Sequence, residues 1–402
     1  MRVAVVGGGA VGLACAWSLA RRGADVVVYE RDRVGSGCSR GNTGWICPGL
    51  SAPLPAPGVM GGALRGMLRP GSPILIRPLF GPAFLRWSWA FWRACTPERY
   101  RAGLEATVAL SERTLELFDE LRSAGVEFDL YERGMVVAAL TEAGLDEYAR
   151  MLREAQAAGY DGEVRVLDGA EVRALEPAAS EAVLGGVAAP AERYVRPESL
   201  TRGLADALRR GGAEVREGAE VSELSEVEAD AVVVAAGAWS GRLLATADVR
   251  IPMEAAKGYS VTARGRGTAP RHAFYLAEAK VGCSTFGDSV RIAGIFDLTG
   301  LDGRLRRGRI ETITRSAAAY FRDWRVQEVE LEWAGLRPYP PDGLPIIGRV
   351  PGHNRLFAAT GHGRLGITLA PVTGELLADI VLEGAEPPEL APFGVERFLR
   401  AA

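Results

Sequence analysis

The chain predicts an α/β molecule, α+β overall, in which a parallel-sheet domain is interrupted by an inserted, mainly antiparallel β-sheet domain. Three observations carry this. Arg2 to Val6 is a short β-branched run that leads into a glycine turn, a helix and a second strand at Asp25 to Tyr29, a βαβ unit. From Ile251 to Ile295 short apolar runs alternate with turns, as in Gly258 to Thr262 and Ser289 to Ala293, the pattern of antiparallel sheet. Near the C-terminus a strand at Leu356 to Ala359, a glycine loop and a helix return to the first pattern. At 402 residues the chain is too long for one ordinary core, so two domains are expected.

The elements follow in order. A helix runs from about Val11 to Arg22 and Gly23 closes it. A proline-rich loop spans Pro48 to Pro57, and an aromatic and arginine-rich stretch follows to Cys95. Thr96-Pro97-Glu98 supplies an N-cap, a first-turn proline and an acid, opening one long amphipathic helix that Gly125 ends. A strand is expected at Gly134 to Leu140, then a Thr141-capped helix to about Gly159. Pro197-Glu198 opens a helix ending near Gly211-Gly212, and strands follow at Ala213 to Arg216 and Ala231 to Ala235. The last helix spans about Ile367 to Leu382. The expected division is 1–90, 141–245 and 335–402 for the discontinuous first domain, with 91–140 and 246–334 forming the inserted one.

Composition narrows the functions. Hydrophobic content of 48% with 24% charged residues is that of a folded globular chain, and a net charge of −3 gives no reason to expect nucleic acid as a partner. Five cysteines without a CxxC pair argue for a reducing compartment and against a zinc site, and three histidines make a histidine metal centre improbable, so no metal is expected. No apolar run approaches the roughly 20 residues that span a bilayer, and the N-terminus reads as a strand rather than a signal peptide, so a cytoplasmic location is expected.

Gly7-x-Gly9-x-x-Gly12 follows a strand and opens a helix, the context in which these glycines let the backbone approach a pyrophosphate at the helix N-terminus. Glu30 stands at the end of the second strand, where a carboxylate accepts from ribose hydroxyls and repels a 2′-phosphate. The first domain is therefore Rossmann-like and binds a dinucleotide.

Five further segments fall in order along the chain. Cys38-Ser39-Arg40-Gly41-Asn42-Thr43-Gly44-Trp45-Ile46-Cys47-Pro48 resembles the loop that amine-oxidising flavoproteins place along FAD. Gly237-Ala238-Trp239-Ser240 is similar to their second FAD-contacting turn. Trp333 to Pro338 and Pro341 to Gly348 resemble their substrate strand and turn, and Thr360 to Thr368 resembles their flavin-ring loop. The chain thus resembles the D-amino-acid oxidase superfamily, most of all its bacterial D-amino-acid dehydrogenases of the small-subunit type. The resemblance covers nearly the whole chain. It implies the glutathione-reductase-type FAD fold and a set of FAD contacts: Gly7, Gly9, Ala10, Val11 and Gly12; Glu30 and Arg31; Ser39, Asn42, Thr43 and Gly44; Val221, Ala236, Gly237 and Trp239; and Gly361, Gly363, Arg364, Leu365, Gly366, Ile367 and Thr368. Monomeric sarcosine oxidases attach FAD through a C-terminal-third cysteine; no cysteine follows Cys283 here, so the FAD is expected to be non-covalent.

The residues argue chemistry too. Oxidising an amine leaves negative charge on the flavin, which a helix N-terminus at Gly363 to Thr368 would stabilise. Arg337, between Leu336 and Pro338 in an apolar strand, needs an anionic partner, either a protein carboxylate or a bound one. The resemblance implies the substrate carboxylate. Tyr259 and Tyr275 can supply hydroxyls to it or serve as core aromatics, and His362 can wall the pocket without acting as a base. The only lysines, Lys257 and Lys280, are expected to be structural. The expected reaction is oxidation of a D-amino acid to its imino and then keto acid, with quinone or O2 as acceptor. D-Proline, D-hydroxyproline, glycine or an N-methylated glycine are alternative substrates, and a catalytically silent flavin subunit is an alternative function. The stretch 75–93 suits either an entrance lid or peripheral contact with the inner face of a membrane. The sequence leaves the oligomeric state open.

Overall fold

The computed structural model describes residues 1–61, 74–76 and 81–399. Among them two large sheets carry the molecule. The six-stranded sheet runs Glu214–Arg216, Asp25–Tyr29, Arg2–Val6, Ala231–Val234, Leu356–Thr360, Ile346–Arg349; the first five are parallel and the last antiparallel. Its strands are buried on both faces, which is why they read as unbroken Val-rich runs. Helices Ala10–Arg21 and Ala370–Glu383 cross on one face. Gly374 makes that crossing possible, since a Cβ there would stand 2.5 Å from the Ala14 carbonyl oxygen.

The second sheet has nine strands. Eight run in the order Arg325–Tyr339, Glu254–Arg266, Ser289–Leu298, Val281–Phe286, Ala273–Leu276, Met135–Ala139, Gly185–Ala189, Arg165–Asp168, and Ile74–Ile76 pairs alongside Ser289–Leu298. Pairing is antiparallel except at Ile74–Ile76 and between Ala273–Leu276 and Met135–Ala139. A small third sheet joins Trp45–Ile46, Arg193–Val195 and Leu130–Tyr131.

The structure redraws several boundaries. Segment 141–245 divides, because Arg165–Asp168 and Gly185–Ala189 hydrogen-bond into the second sheet. Helix Pro82–Ala94, expected with the first domain, buries Trp87 and Phe91 against Ala256, Leu298 and Tyr339 of the second. Conversely Leu117, Phe118 and Leu121 pack into the core of the first. The helix expected from Thr96 to Gly125 is two, Pro97–Ser111 and Thr114–Ser123. Thr107 and Ser111 turn their hydroxyls back onto the Gly103 and Val108 carbonyls, a bonding that bends helices just before this break. The last helix begins at Ala370 rather than Ile367. Thr368 spends its hydroxyl on the Trp45 carbonyl and the Cys47 N–H instead of capping, and Pro371 suits the first turn that follows. No helix of the described residues is long and apolar enough to cross a membrane.

Candidate active site

A cleft with about 1230 Å³ of atom-free space runs along the carboxyl ends of the parallel strands. At one end the glycine turn makes its wall. Gly7 adopts φ +118°, and a Cβ on Gly12 would lie 2.0 Å from the Gly7 carbonyl oxygen, so only glycine lets this turn close. Gly9 caps helix Ala10–Arg21 without a side chain, and Ser39 Oγ accepts from Ala10 N–H at 3.1 Å. Glu30 Oε2 accepts from Gly8 N–H at 2.8 Å and Oε1 from Asp32 N–H at 2.9 Å, which fixes the carboxylate at the cleft edge. Arg31 lies 4.4 Å over the Trp239 ring, opposite Val221, Ala236 and Gly237. At the far end His362, Gly363, Gly366 and Ile367 line the wall, with Val11 and Asn42 between.

Thr43, Gly44, Gly361, Arg364, Leu365 and Thr368 are not on this wall; they brace the loops that are. Gly44, at φ +76°, fits under the Val195 carbonyl, and its own carbonyl accepts from Val195 N–H. The Thr43 carbonyl accepts from Ser284 Oγ at 2.8 Å. Arg364 donates to the Leu50 and Ala52 carbonyls, Leu365 is in the core, and Gly361 packs on Pro340. The strand and loop signals could not separate a lining residue from its support.

The loop 38–44 is held from the second sheet. Arg291, 3% exposed, donates to the Arg40 and Asn42 carbonyls at 3.0 and 2.9 Å, to Thr262 Oγ1 at 2.9 Å and to Glu198 at 2.6 Å. The Trp333 ring fills the space a Cβ on Gly41 would occupy. Sequence reading missed Arg291, although it carries the same signal as Arg337: a lone arginine in the apolar strand Ser289–Leu298.

The chain matches the FAD dependent oxidoreductase family over residues 2–380. It belongs to that family. The D-amino acid dehydrogenase of Phenylobacterium zucineum is 34% identical, over 98% of this chain and 97% of its own length. That of Cereibacter sphaeroides is 33% identical, over 99% and 96%. Glycine oxidase from Geobacillus kaustophilus superposes with a TM-score of 0.76 at 26% identity, covering 98% of both chains. L-Proline dehydrogenase from P. horikoshii, at 19% identity and 0.75, shares the fold.

FAD is therefore the cofactor, and the cleft fits it: a glycine turn for the pyrophosphate, a carboxylate at a ribose position, and a long apolar wall. One consequence is measurable. Glu30→Ala should weaken FAD binding by about 1–3 kcal/mol, the cost of a charged hydrogen bond left unmade. Heat denaturation of the wild type should release all the flavin into the supernatant; a yellow pellet would mean a covalent link.

Beyond the cleft lies a second group of polar side chains. Arg337 donates from Nη1 to the Ile295 carbonyl at 2.9 Å, and no carboxylate among the described residues pairs with it. Ile295 holds φ +72°, a strained value for a β-branched residue, where the strand bulges opposite Gly258. A Cβ on Gly258 would stand 2.1 Å from Arg337 Nη2, so this glycine is the guanidinium's berth. Close by is Tyr339, whose hydroxyl is raised by burial while Arg337 and Arg364 pull it back. Burial pushes the Cys38 thiol up to about 11 against the opposing charge of Arg337, so the thiol stays neutral. Tyr275 reaches the same group, its ring edge-on to Trp45 at 5.5 Å.

Tyr259 does not join them. Strand alternation places it with Val261 and Ala263, under Ile310 and Ile313, on the sheet face away from Gly258 and Arg337. It is a core aromatic. Lys257, also fully buried, pairs with Asp302 at 3.3 Å. His362 lines the cleft, and Nε2 bonds Thr373 Oγ1 at 2.9 Å. Burial lowers its pKa to about 3, so the imidazole is neutral at any working pH. Gly363 and Leu365 N–H groups are taken by the Pro338 and His362 carbonyls, and the helix starts at Ala370. The helix end is thus one turn further from the loop than its sequence implied.

Proposed function

We propose that this protein oxidises a D-amino acid at Cα, with the substrate carboxylate held by Arg337. The observation that carries the reading is a half-buried arginine, between two residues that line the cleft, whose guanidinium bonds a carbonyl rather than a carboxylate. A guanidinium so placed has a fork left for an anion. Relatives named D-amino acid dehydrogenase, aligned over nearly the full length, support the same substrate class.

Bound FAD supplies the hydride acceptor, later reoxidised by quinone or O2. The chain's own part is positional. The Ile295 carbonyl fixes one side of the guanidinium, so the fork is set before substrate arrives and Cα is presented in one orientation. Tyr275 offers a hydroxyl to the same pocket, while neutral His362 serves as wall and cannot act as an acid. No base needs to attack carbon, because a neutral amine releases hydride directly. The imino acid then hydrolyses to keto acid and ammonia.

Helix Pro82–Ala94 packs over the strands that carry Arg337 and Ile295. Trp87 Nε1 donates to the Tyr339 carbonyl at 2.8 Å, which ties the helix to the arginine-bearing strand and favours the lid. Its outer face shows Leu85, Trp89 and Trp92, each more than half exposed, and that face is the part of 75–93 suited to lie on a membrane surface. Residues 77–80 of that stretch lie outside the described residues.

Likeness to a glycine oxidase at 26% identity favours a second reading, a smaller amine such as glycine. Anaerobic mixing with a panel of D- and L-amino acids, D-proline, glycine and N-methylglycine decides between them. D-Amino acids should bleach the flavin fastest. Preference for glycine would select the second reading, and no bleaching by any amine would leave a silent flavin subunit.

A further inference from the structure

An amine arrives at neutral pH as an ammonium, and hydride cannot leave Cα until one N–H proton has gone. On the reading above, that proton must leave the substrate's place beside Arg337. One file of side chains leads out. The Tyr275 ring packs edge-on against that of Tyr148 at 5.1 Å, and its hydroxyl acts electrostatically on those of Tyr148 and, beside Arg337, of Tyr339. The Tyr148 hydroxyl, buried, receives Lys280 Nζ at 3.2 Å. Lys280 Nζ also bonds both Glu147 oxygens, at 2.7 and 2.8 Å, and both of these side chains reach solvent, about 40% exposed.

The backbone marks the lysine as well. Among the described residues only Asp248, Lys280 and Ile295 hold positive φ without being glycine. Ile295 anchors Arg337. Lys280, at φ +52°, occupies the hairpin turn after Ala273–Leu276, where glycine would be unstrained. It is also one of two lysines in a chain whose other basic residues are arginines.

We propose that Tyr275, Tyr148, Lys280 and Glu147 form a proton-conducting chain that carries the substrate ammonium's proton from the pocket to the surface. The step balances without an added reagent. Lys280 Nζ releases a proton through Glu147 to water, Tyr148 O–H passes its proton to Nζ, Tyr275 O–H passes its proton to Tyr148, and the substrate N–H passes its proton to Tyr275. One proton moves outward and both phenols end as they began. Lysine suits the outer position because an ammonium can give up a proton, whereas a guanidinium cannot. Burial, then Tyr275 and Glu147, keep Tyr148 protonated, so its hydroxyl both donates and accepts. The other charged groups nearby are Arg364, which is held by the Leu50 and Ala52 carbonyls, and Glu278, which is turned away onto Thr141 and Tyr320.

The test is the pH profile of anaerobic flavin reduction by the best D-amino acid, in the FAD-loaded protein. Lys280→Arg keeps the charge pair with Glu147 but ends the relay; Tyr148→Phe keeps the ring packing and removes the hydroxyl. Each should slow reduction at pH 7 by about tenfold, with the deficit vanishing above the pKa of the substrate amine, where no proton has to leave. A deficit in either variant that stays constant with pH, or wild-type profiles in both, overturns the relay alone. If the wild type is not reduced by any D-amino acid, the substrate reading fails and the relay with it.

Discussion

Arg337→Ala should retain fold and FAD yet lose about 2–5 kcal/mol in kcat/KM, the range for removing one partner of a buried, hydrogen-bonded charge pair. That is roughly 30- to 5000-fold in rate. The loss should be largest for substrates with a free carboxylate and small for an amine without one. Arg337→Lys should lose most of the same turnover, because a point charge cannot grip two oxygens or fix which Cα–H is presented. Gly258→Ala is the companion variant. Its methyl would enter the space of Arg337 Nη2, 2.1 Å away, and should reproduce much of the loss without touching the charge. Rapid-mixing reduction of all three decides the matter. Wild-type reduction of Arg337→Ala would make this arginine structural and remove the main support for an amino-acid substrate.

Arg291→Met should destabilise the protein by about 3–5 kcal/mol, the cost of taking one partner from a buried ion pair. The arginine satisfies two loop carbonyls, a threonine hydroxyl and Glu198 together. Without it these acceptors are left uncompensated, and the loop 38–44 loses its tie to the second sheet. Urea unfolding followed by tryptophan fluorescence would measure the loss. Adding Glu198→Gln should restore part of it, since the stranded carboxylate is then neutral. FAD affinity should fall in the single variant, because Ser39 and Asn42 are on that loop and line the cleft. A midpoint unchanged from wild type would mean the clamp contributes nothing.

Much of the nucleotide half was legible because its signals are local. A Val-rich run, three glycines and a carboxylate at the next strand end lie within 30 residues, and the backbone conformation they require is set by those residues alone. Segment 141–245 was misassigned for the opposite reason. Gly185–Ala189 is small and apolar, and its partner Met135–Ala139 lies some 50 residues away, so pairing rather than composition decides its sheet. Tyr259 could be read either as a pocket hydroxyl or as a core aromatic because register was not visible: next to Gly258 in sequence, it faces the other side of the pleat. Ile295 carried no signal, since nothing in an isoleucine announces that its carbonyl will turn toward an arginine 42 residues on.

The order of strands in the six-stranded sheet has a consequence for biosynthesis. Arg2–Val6 emerges first from the ribosome, but its neighbour Ala231–Val234 and the strand beyond it, Leu356–Thr360, come 225 to 350 residues later. At about 5–20 residues per second, the glycine turn waits on the order of half a minute before the opposite wall of its cleft exists. Cofactor loading is therefore a late event that follows release of most of the chain. Until then the central strand has an open edge, with paired backbone on one side only. A nascent chain stalled before Ala231 would expose that edge to its neighbours on the same message. Free FAD could not rescue it, because half of the binding cleft would not yet have been translated.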